Sequence, residues 1–529
     1  MRMVWHGWKP VTAGTLVLLA TGIAPAENSL SCSRYLGGSS KDAIRGIATD
    51  DAGNVYVTGG TKSPDFPVTP HAYDTTLDTS GSPVRDVFVA KLNRYGQIIW
   101  STLIGGPNYD RAYAVQVDRK GYVYVAGRAG AGFPVTAGAF QPTFQGGQAT
   151  RLYGPQDGFI CKLNPDGTAL VFCSYFGTSD PEIVRDLAVD AKGDIYLASS
   201  HSGGALPQSW FHNALQKAPR GGRDALIAKV TSDGSRVLWA TYLGGSKEES
   251  GENSIRVDRT GHAYVLMTTR STDIPTTPGA YDRTYNGGSD TYVAKLAPDG
   301  SRLVYGTYLG ASRDEGTETH ELAIDAHGNA YVASLTMSPD FPTTAGVFQT
   351  TYGGSGAEDT GRGTNYAGDV FVAKISADGA RLLASTFVGG RFGEGAEGVA
   401  VDSAGDVYVS GATYSSNFPV TADAFQGSKR GGADAFLFRL SADFTRLVYS
   451  TYLGGTGKDL ARTAAIDPQG NMYIAGSTKS DDWPTRSPFR RTRARKQDAV
   501  LAKITFARAV GGQPSVVRGN DAAKQESLP

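Results

Sequence analysis

The sequence predicts an all-β fold: a seven-bladed β-propeller with four antiparallel strands per blade, closed by the N-terminal strand, which completes the last blade. One observation is a segment of the type Tyr-Leu-Gly-Gly that occurs seven times. The copies are Tyr35-Leu36-Gly37-Gly38, Leu103-Ile104-Gly105-Gly106, Tyr175-Phe176-Gly177-Thr178, Tyr242-Leu243-Gly244-Gly245, Tyr308-Leu309-Gly310-Ala311, Phe387-Val388-Gly389-Gly390 and Tyr452-Leu453-Gly454-Gly455. Their first glycines are 68, 72, 67, 66, 79 and 65 residues apart. A long fixed period marks one supersecondary unit repeated around an axis or along a stack. A second observation is a strand motif with the same period: Asp, any residue, two apolar residues, a small or apolar residue, then Lys or Arg. It lies at Asp86–Lys91, Asp157–Lys162, Asp224–Lys229, Asp290–Lys295, Asp369–Lys374, Asp434–Arg439 and Asp498–Lys503. The third is phase. Residues 29–36 read as a fourth strand with nothing before them, and Asp498–Lys503 as a third strand with no fourth after it. Pairing the two shuts the ring and removes the open edges that invite aggregation.

Blade 1 shows the elements in order. Ile44 to Thr49 is a short apolar run, and Asp50-Asp51-Ala52-Gly53-Asn54 is a turn signal. The same Asp-x-x-Gly opens at Asp118, Asp190, Asp258, Asp325, Asp402 and Asp467. The Asp side chain bonds backbone two residues on, and the Gly takes the left-handed position. Val55-Tyr56-Val57-Thr58-Gly59 is β-branched and aromatic, hence a second strand. A proline follows every second strand, at Pro67, Pro134, Pro207, Pro275, Pro342, Pro419 and Pro484. The Asp86–Lys91 motif is the third strand, and Gln97 to Leu103 the fourth. Such sevenfold recurrence is what packing requires; a catalytic residue is normally needed once.

The chain has 529 residues, of which 40% are hydrophobic and 68 are glycine, enough for a large core and many tight turns. Residues 1–26 read as a secretory signal peptide: Arg2 and Lys9, an apolar run from Val11 to Ile23, and an Ala24-Pro25-Ala26 cleavage site. That run is too short to span a bilayer, and no later segment is apolar enough, so no transmembrane anchor is expected. The domain reading is 27–504 for the propeller and 505–529 for a polar, disordered tail. Lys+Arg and Asp+Glu both total 51, a balance that excludes nucleic acid as a partner on charge grounds. The three cysteines, Cys32, Cys161 and Cys173, are too few for a disulfide framework. Counting outward from the turn at Asp166-Gly167 leaves Cys161 and Cys173 about two residues out of register, so a bridge requires an irregular turn, and each reads as a small buried apolar residue.

Tyr452-Leu453-Gly454-Gly455, Gly405-Asp406-Val407-Tyr408-Val409, Asp340-Phe341-Pro342-Thr343-Thr344 and Asp369-Val370-Phe371-Val372-Ala373-Lys374 give the chain its family likeness. Over essentially the whole mature chain it resembles the SBBP repeat, a bacterial seven-bladed β-propeller repeat family. The resemblance implies an exported propeller, periplasmic, secreted or on the cell surface. It implies no common reaction, so no catalytic residue is assigned. Blade 3 departs most, with His201-Ser202-Gly203-Gly204-Ala205-Leu206-Pro207 in place of the Asp-Phe-Pro approach.

Candidate site residues fall on the face that carries the second-to-third and fourth-to-first strand connections. An acid stands five residues after each first glycine: Asp42, Asp110, Glu182, Glu249, Glu315, Glu394 and Asp459. A ring of carboxylates at the channel mouth suits Ca²⁺, while the preferred reading is structural, each acid capping loop N–H groups. No cofactor is otherwise expected. Individual function is sought in departures from the repeat, since rigid scaffolds position binding loops. Blade 2 adds a connection with Arg151 and Tyr153, and blade 5 one with Glu358, Asp359, Arg362 and Tyr366. Blade 7 carries a basic run that includes Arg490, Arg491 and Arg493, suited to phosphate or uronate groups of an envelope polymer. His320 is expected near the channel with Arg45, Tyr113, Arg185, Glu397 and Arg462, more as inter-blade ion pairs than as a ligand site. H-E-x-x-H, G-x-S-x-G and C-x-x-C are absent. The functional expectation is an exported, non-catalytic binding scaffold for an envelope protein or glycan. The alternative is an extracellular polysaccharide hydrolase or lyase using acids and arginines at the channel mouth.

Overall fold

The computed structural model describes residues 28–147, 153–249, 251–316, 320–354, 367–486, 493 and 496–507. Seven antiparallel sheets succeed one another, and in the first six the strands lie in chain order. Blade 1 comprises Asp42–Thr49, Val55–Thr61, Asp86–Leu92 and Ile98–Ile104. The first strands of neighbouring blades touch in succession, and that of blade 7 (Asp459–Ile466) touches that of blade 1, so the ring is closed. Blade 7 takes its outer strand from the other end of the chain. Ser29–Leu36 pairs with Asp498–Thr505, from Ser29 opposite Thr505 to Leu36 opposite Ala499. Trp483 donates from Nε1 to Ser33 Oγ at 2.9 Å, and the Tyr35 hydroxyl donates to the Ser480 carbonyl at 2.9 Å, which fixes that register. The chain forms a seven-bladed β-propeller.

The core lies between blades rather than within one. Second strands such as Val55–Thr61 and Val407–Thr413 are buried along their whole length, because both faces of each sheet pack on a neighbour. One apolar cluster joins blades 1 and 2 through Tyr56, Trp100, Val125 and Phe159, and another joins blades 7 and 1 through Leu36, Val57, Tyr473 and Leu501. The residue before the repeated proline is a buried plug in six blades, Phe66, Phe133, Ile274, Phe341, Phe418 or Trp483. In blade 3 this place is taken by Leu206, followed by a 3₁₀ turn, Gln208–Phe211, that buries Trp210 against Phe176.

One expectation is corrected. Cys161 and Cys173 are directly opposite each other, with Cα atoms 4.0 Å apart, and are joined as a disulfide. The reason is a β-bulge. Leu163 pairs with Leu170 but Lys162 with Phe172, so Val171 is extruded and the count from the turn shifts. The same irregularity recurs in blade 1, where Ile99 is extruded and exposed. Cys32 is buried and unpaired with another cysteine.

Blade 5 breaks the sevenfold symmetry. Its first strand is split into Glu315–Gly316 and Leu322–Ile324 by an insertion. His320, at φ 75°, reaches other blades from there. Its Nε2 lies 2.9 Å from the Tyr113 carbonyl and 3.1 Å from the Arg45 carbonyl, and its Nδ1 3.3 Å from Asp186. Its own carbonyl accepts from Val399 N–H at 3.1 Å. One residue of blade 5 thereby ties blades 1, 2, 3 and 6 across the central channel. Burial alone would raise the Asp186 carboxyl; Arg256 and His320 outweigh it and hold the group at about 2.

Removing residues 28–36 leaves the Asp498–Thr505 strand as an open edge. Such a variant is expected to aggregate on size-exclusion chromatography and to melt earlier; a monodisperse product with unchanged melting contradicts closure by this strand.

Candidate ligand-binding site

The geometry of the upper face is set by the seven repeated acids. All are buried, from Asp42 and Glu394 at 0% exposure to Asp110 and Glu249 at 1%. Each reaches back to the loop before it. Asp42 accepts from Gly38 N–H at 2.9 Å, Asp110 from Gly106 at 2.9 Å, Glu182 from Thr178 at 2.8 Å and Asp459 from Gly455 at 2.8 Å. Glu315 accepts from Ala311 N–H at 2.9 Å and Glu394 from Gly390 at 3.1 Å. Hydroxyls at the end of the second strand complete the set, such as Thr269 and Ser271 on Glu249 at 2.9 and 2.6 Å. The first glycine of each repeat is required here. A Cβ on Gly37 would lie 2.4 Å from Asp42 and 2.8 Å from Asp498. Among the described residues no group of three or more His, Cys, Asp or Glu is arranged to hold a metal ion.

The backbone of the same acids sews the blades together. Asp110 N–H donates to the Arg85 carbonyl at 2.6 Å, and Asp42 N–H to the Gln497 carbonyl at 3.1 Å. The residue before each acid is thus placed beside the residue before the third strand of the preceding blade. Lys41 sits beside Gln497, Arg85 beside Tyr109, Arg223 beside Glu248 and Ser289 beside Asp314. The backbone makes the seam whatever these side chains are, and they differ from blade to blade.

At the junctions of blades 7, 1 and 2 they form a cavity of about 490 Å³. Its lining holds Lys41, Arg45, Lys62, Arg85, Arg111, Lys458, Arg462 and Lys479, with Tyr109 and Tyr153, and no acid. Arg462 pairs with Glu397, and Lys458 donates to the Tyr414 hydroxyl at 2.6 Å. Among the described residues, no carboxylate is within ion-pair distance of Lys41, Lys62, Arg85, Arg111 or Lys479. Burial first, and then the neighbouring Arg85, pull the Lys62 ammonium below its ordinary value. Across the ring, blades 3 to 5 line a cavity of about 520 Å³ with Glu248, Glu249, Glu252, Asp314 and Glu315. There charges compensate one another: Arg185 meets Glu252 at 2.5 Å and Arg270 meets Asp314 at 3.6 Å.

Of the residues singled out from sequence, Arg45, Tyr153 and Arg462 lie in the basic cavity. Arg493 pairs with Asp481 at 2.9 Å. Arg151, Glu358, Asp359, Arg362, Tyr366, Arg490 and Arg491 lie outside the described residues, as do residues 1–26 and most of residues 505–529. Sequence reasoning missed Lys41, Lys62, Arg85, Tyr109, Arg111 and Lys479. A column-by-column comparison of the seven repeats at the two positions flanking each seam finds Lys41, Arg85 and Tyr109; Arg111 directly follows the repeated acid, and Lys62 and Lys479 directly follow the second strand.

Residues 33–67, 99–134 and 448–484 match the SBBP beta-propeller repeat. The chain carries SBBP repeats. Residues 279–302 also match a beta-propeller domain of unknown function, DUF5122. Regulatory protein FlaEY of Caulobacter vibrioides is 23% identical over 250 residues, 45% of this chain and 25% of that protein. The chain therefore spans about a quarter of the length of the curated relative it matches. Among solved structures, a Dyadobacter fermentans protein of unknown function aligns with a TM-score of 0.42 and 10% identity over 91% of this chain and 99% of that one. A PL25 polysaccharide lyase, an ulvan lyase, aligns at 0.43 and 14% identity over 85% and 92%. No helix among the described residues is long and apolar enough to cross a membrane.

The seam acids make stability depend on pH. Burial raises the Glu394 carboxyl to about 8 and those of Glu249 and Glu315 to about 7, from an ordinary 4.5. The folded chain therefore keeps protons that the unfolded chain releases above about 4.5. Their contribution is full below that pH and is lost as pH rises through the folded values. The melting temperature is expected to fall between pH 5 and 8, and Glu394→Gln to flatten that decline; an unchanged slope in the variant contradicts this assignment.

Proposed function

We propose that the chain is an exported, non-catalytic interaction scaffold of the cell envelope, and that its basic cavity binds an anionic glycan. The carrying observation is the cavity between blades 7, 1 and 2, where eight cations gather with no acid in the lining. Five of them, Lys41, Lys62, Arg85, Arg111 and Lys479, have no carboxylate within ion-pair distance among the described residues, and such cations are held ready for negative charge from outside. The volume, about 490 Å³, is that of a small-ligand cleft, and two tyrosines give apolar surface for sugar rings. A glycan fits such a small recess with aromatic walls better than a protein surface does. The seven repeated acids favour binding over hydrolysis, since each is occupied by loop amides or hydroxyls rather than presented to a substrate. Export is supported by the basic, apolar and Ala-x-Ala pattern of residues 1–26.

Calorimetric titration with polygalacturonate, a sulfated glycan and neutral dextran tests this. The anionic polymers are expected to bind, with affinity that weakens as salt is added. The substitutions Lys41→Glu, Lys62→Glu and Lys479→Glu together are expected to weaken binding by roughly tenfold or more. Equal binding of dextran, indifference to the three substitutions, or binding only of acidic peptides overturns the reading.

A further inference from the structure

The floor of the basic cavity differs from its rim. Lys41 and Lys479 are exposed, and Lys62, Lys458 and Arg111 are half-buried, whereas Arg85 is buried at 9% exposure, as is the neighbouring Arg128 at 6%. Arg85 donates from Nη1 to the Gly60 carbonyl at 3.1 Å, and its guanidinium lies 5.4 Å from the Tyr109 ring centre. Arg111 donates from Nη1 to the Tyr109 hydroxyl at 3.3 Å and lies over Tyr113 at 4.5 Å. Arg128 covers Tyr153 at 3.9 Å and Tyr109 at 5.5 Å. The Nε atoms of all three arginines are buried without a hydrogen-bond partner. Among the described residues, no carboxylate is within ion-pair distance of any of them. Asp42 has an electrostatic influence on Arg85, but its carboxylate is engaged by Gly38, Thr61 and Ser63.

Three guanidinium groups packed on aromatic faces without a counter-charge are costly to bury. Packing does not demand them. The positions equivalent to Arg85 in the other blades hold Gln156, Arg223, Ser289, Gly368, Ala433 and Gln497, and those equivalent to Tyr109 hold Lys41, Pro181, Glu248, Asp314, Gly393 and Lys458. Space is made for the cluster as well. A Cβ on Gly60 would lie 2.8 Å from Arg85 Cδ and 3.1 Å from Arg111 Cγ. We infer that Arg85 and Arg111, with the Tyr109 hydroxyl between them, form a subsite for one oxyanion, a carboxylate, sulfate or phosphate group. A guanidinium pairs with two oxygens of such a group, and the phenol donates to a third. The electrostatics agree. Burial would raise the Tyr109 phenol, yet Arg111, Arg85 and Arg128 overcome it and bring it down to about 8.

The subsite rests on reading the cavity as a ligand site, and it can be tested apart from polymer binding. The full chain is titrated with sulfate, phosphate and galacturonate monosaccharide against chloride of equal ionic strength. Phenolate absorbance is followed with pH, as wild type minus Tyr109→Phe. At least one oxyanion is expected to bind and to raise the Tyr109 transition by about one pH unit, since it offsets the cations that lower it. Which one does so separates uronate, sulfate and phosphate sources. Arg85→Gln with Arg111→Gln is expected to weaken that binding by about tenfold or more. A Tyr109 transition that no oxyanion moves overturns the subsite, and so does undiminished oxyanion binding in the double arginine variant. The wild-type spectrum decides even if that variant does not fold. Oxyanion binding without polymer binding retains the subsite and refutes the glycan reading.

Discussion

A buried carboxyl at every blade junction is the constraint on which this propeller depends. Its oxygens terminate the loop that leads into the blade, and its N–H group bonds the preceding blade, as Asp110 does with the Arg85 carbonyl. The neighbouring glycine has no Cβ because the acid and the third-strand Asp fill that space, as Asp42 and Asp498 do around Gly37. Three repeated sequence features are therefore one physical unit. Its repetition makes the seven seams nearly alike in backbone and leaves adjacent side chains free to differ.

Those differences give the upper face its polarity. A chain with 51 basic and 51 acidic residues has no net pull on a charged partner. The ring nevertheless separates charge. Lys41, Arg85 and Lys458 flank seams on one side, while Glu248 and Asp314 flank seams on the other. On the acidic side, arginines such as Arg185 and Arg270 close ion pairs. On the basic side, Arg462 pairs with Glu397, while Arg85 and Arg111 turn to tyrosine rings. His320, bridging the channel from blade 5, holds the blades that carry this asymmetry in fixed relation.

The fold was legible because it rests on repetition, and repetition averages over local ambiguity. The phase of residues 29–36 against Asp498–Lys503 foretold the pairing of Ser29–Leu36 with Asp498–Thr505. What a linear count could not carry was the extrusion of Val171, which brings Cys161 opposite Cys173. A bulge is a sheet property, set by the partner strand. The site was harder to read for a related reason. The eye goes to long insertions and basic runs, and from the described part of these Tyr153 reaches the basic cavity. Arg85 and Tyr109 lie 24 positions apart in the chain and become neighbours only through the seam bridge.

The most direct test of this account is to locate a bound anion by its own scattering. A crystal of the full chain soaked in selenate should show an anomalous peak at the floor of the basic cavity, within hydrogen-bond distance of Arg85 and Arg111. A peak confined to the opposite face of the ring, or an empty floor beside occupied surface lysines, would contradict it.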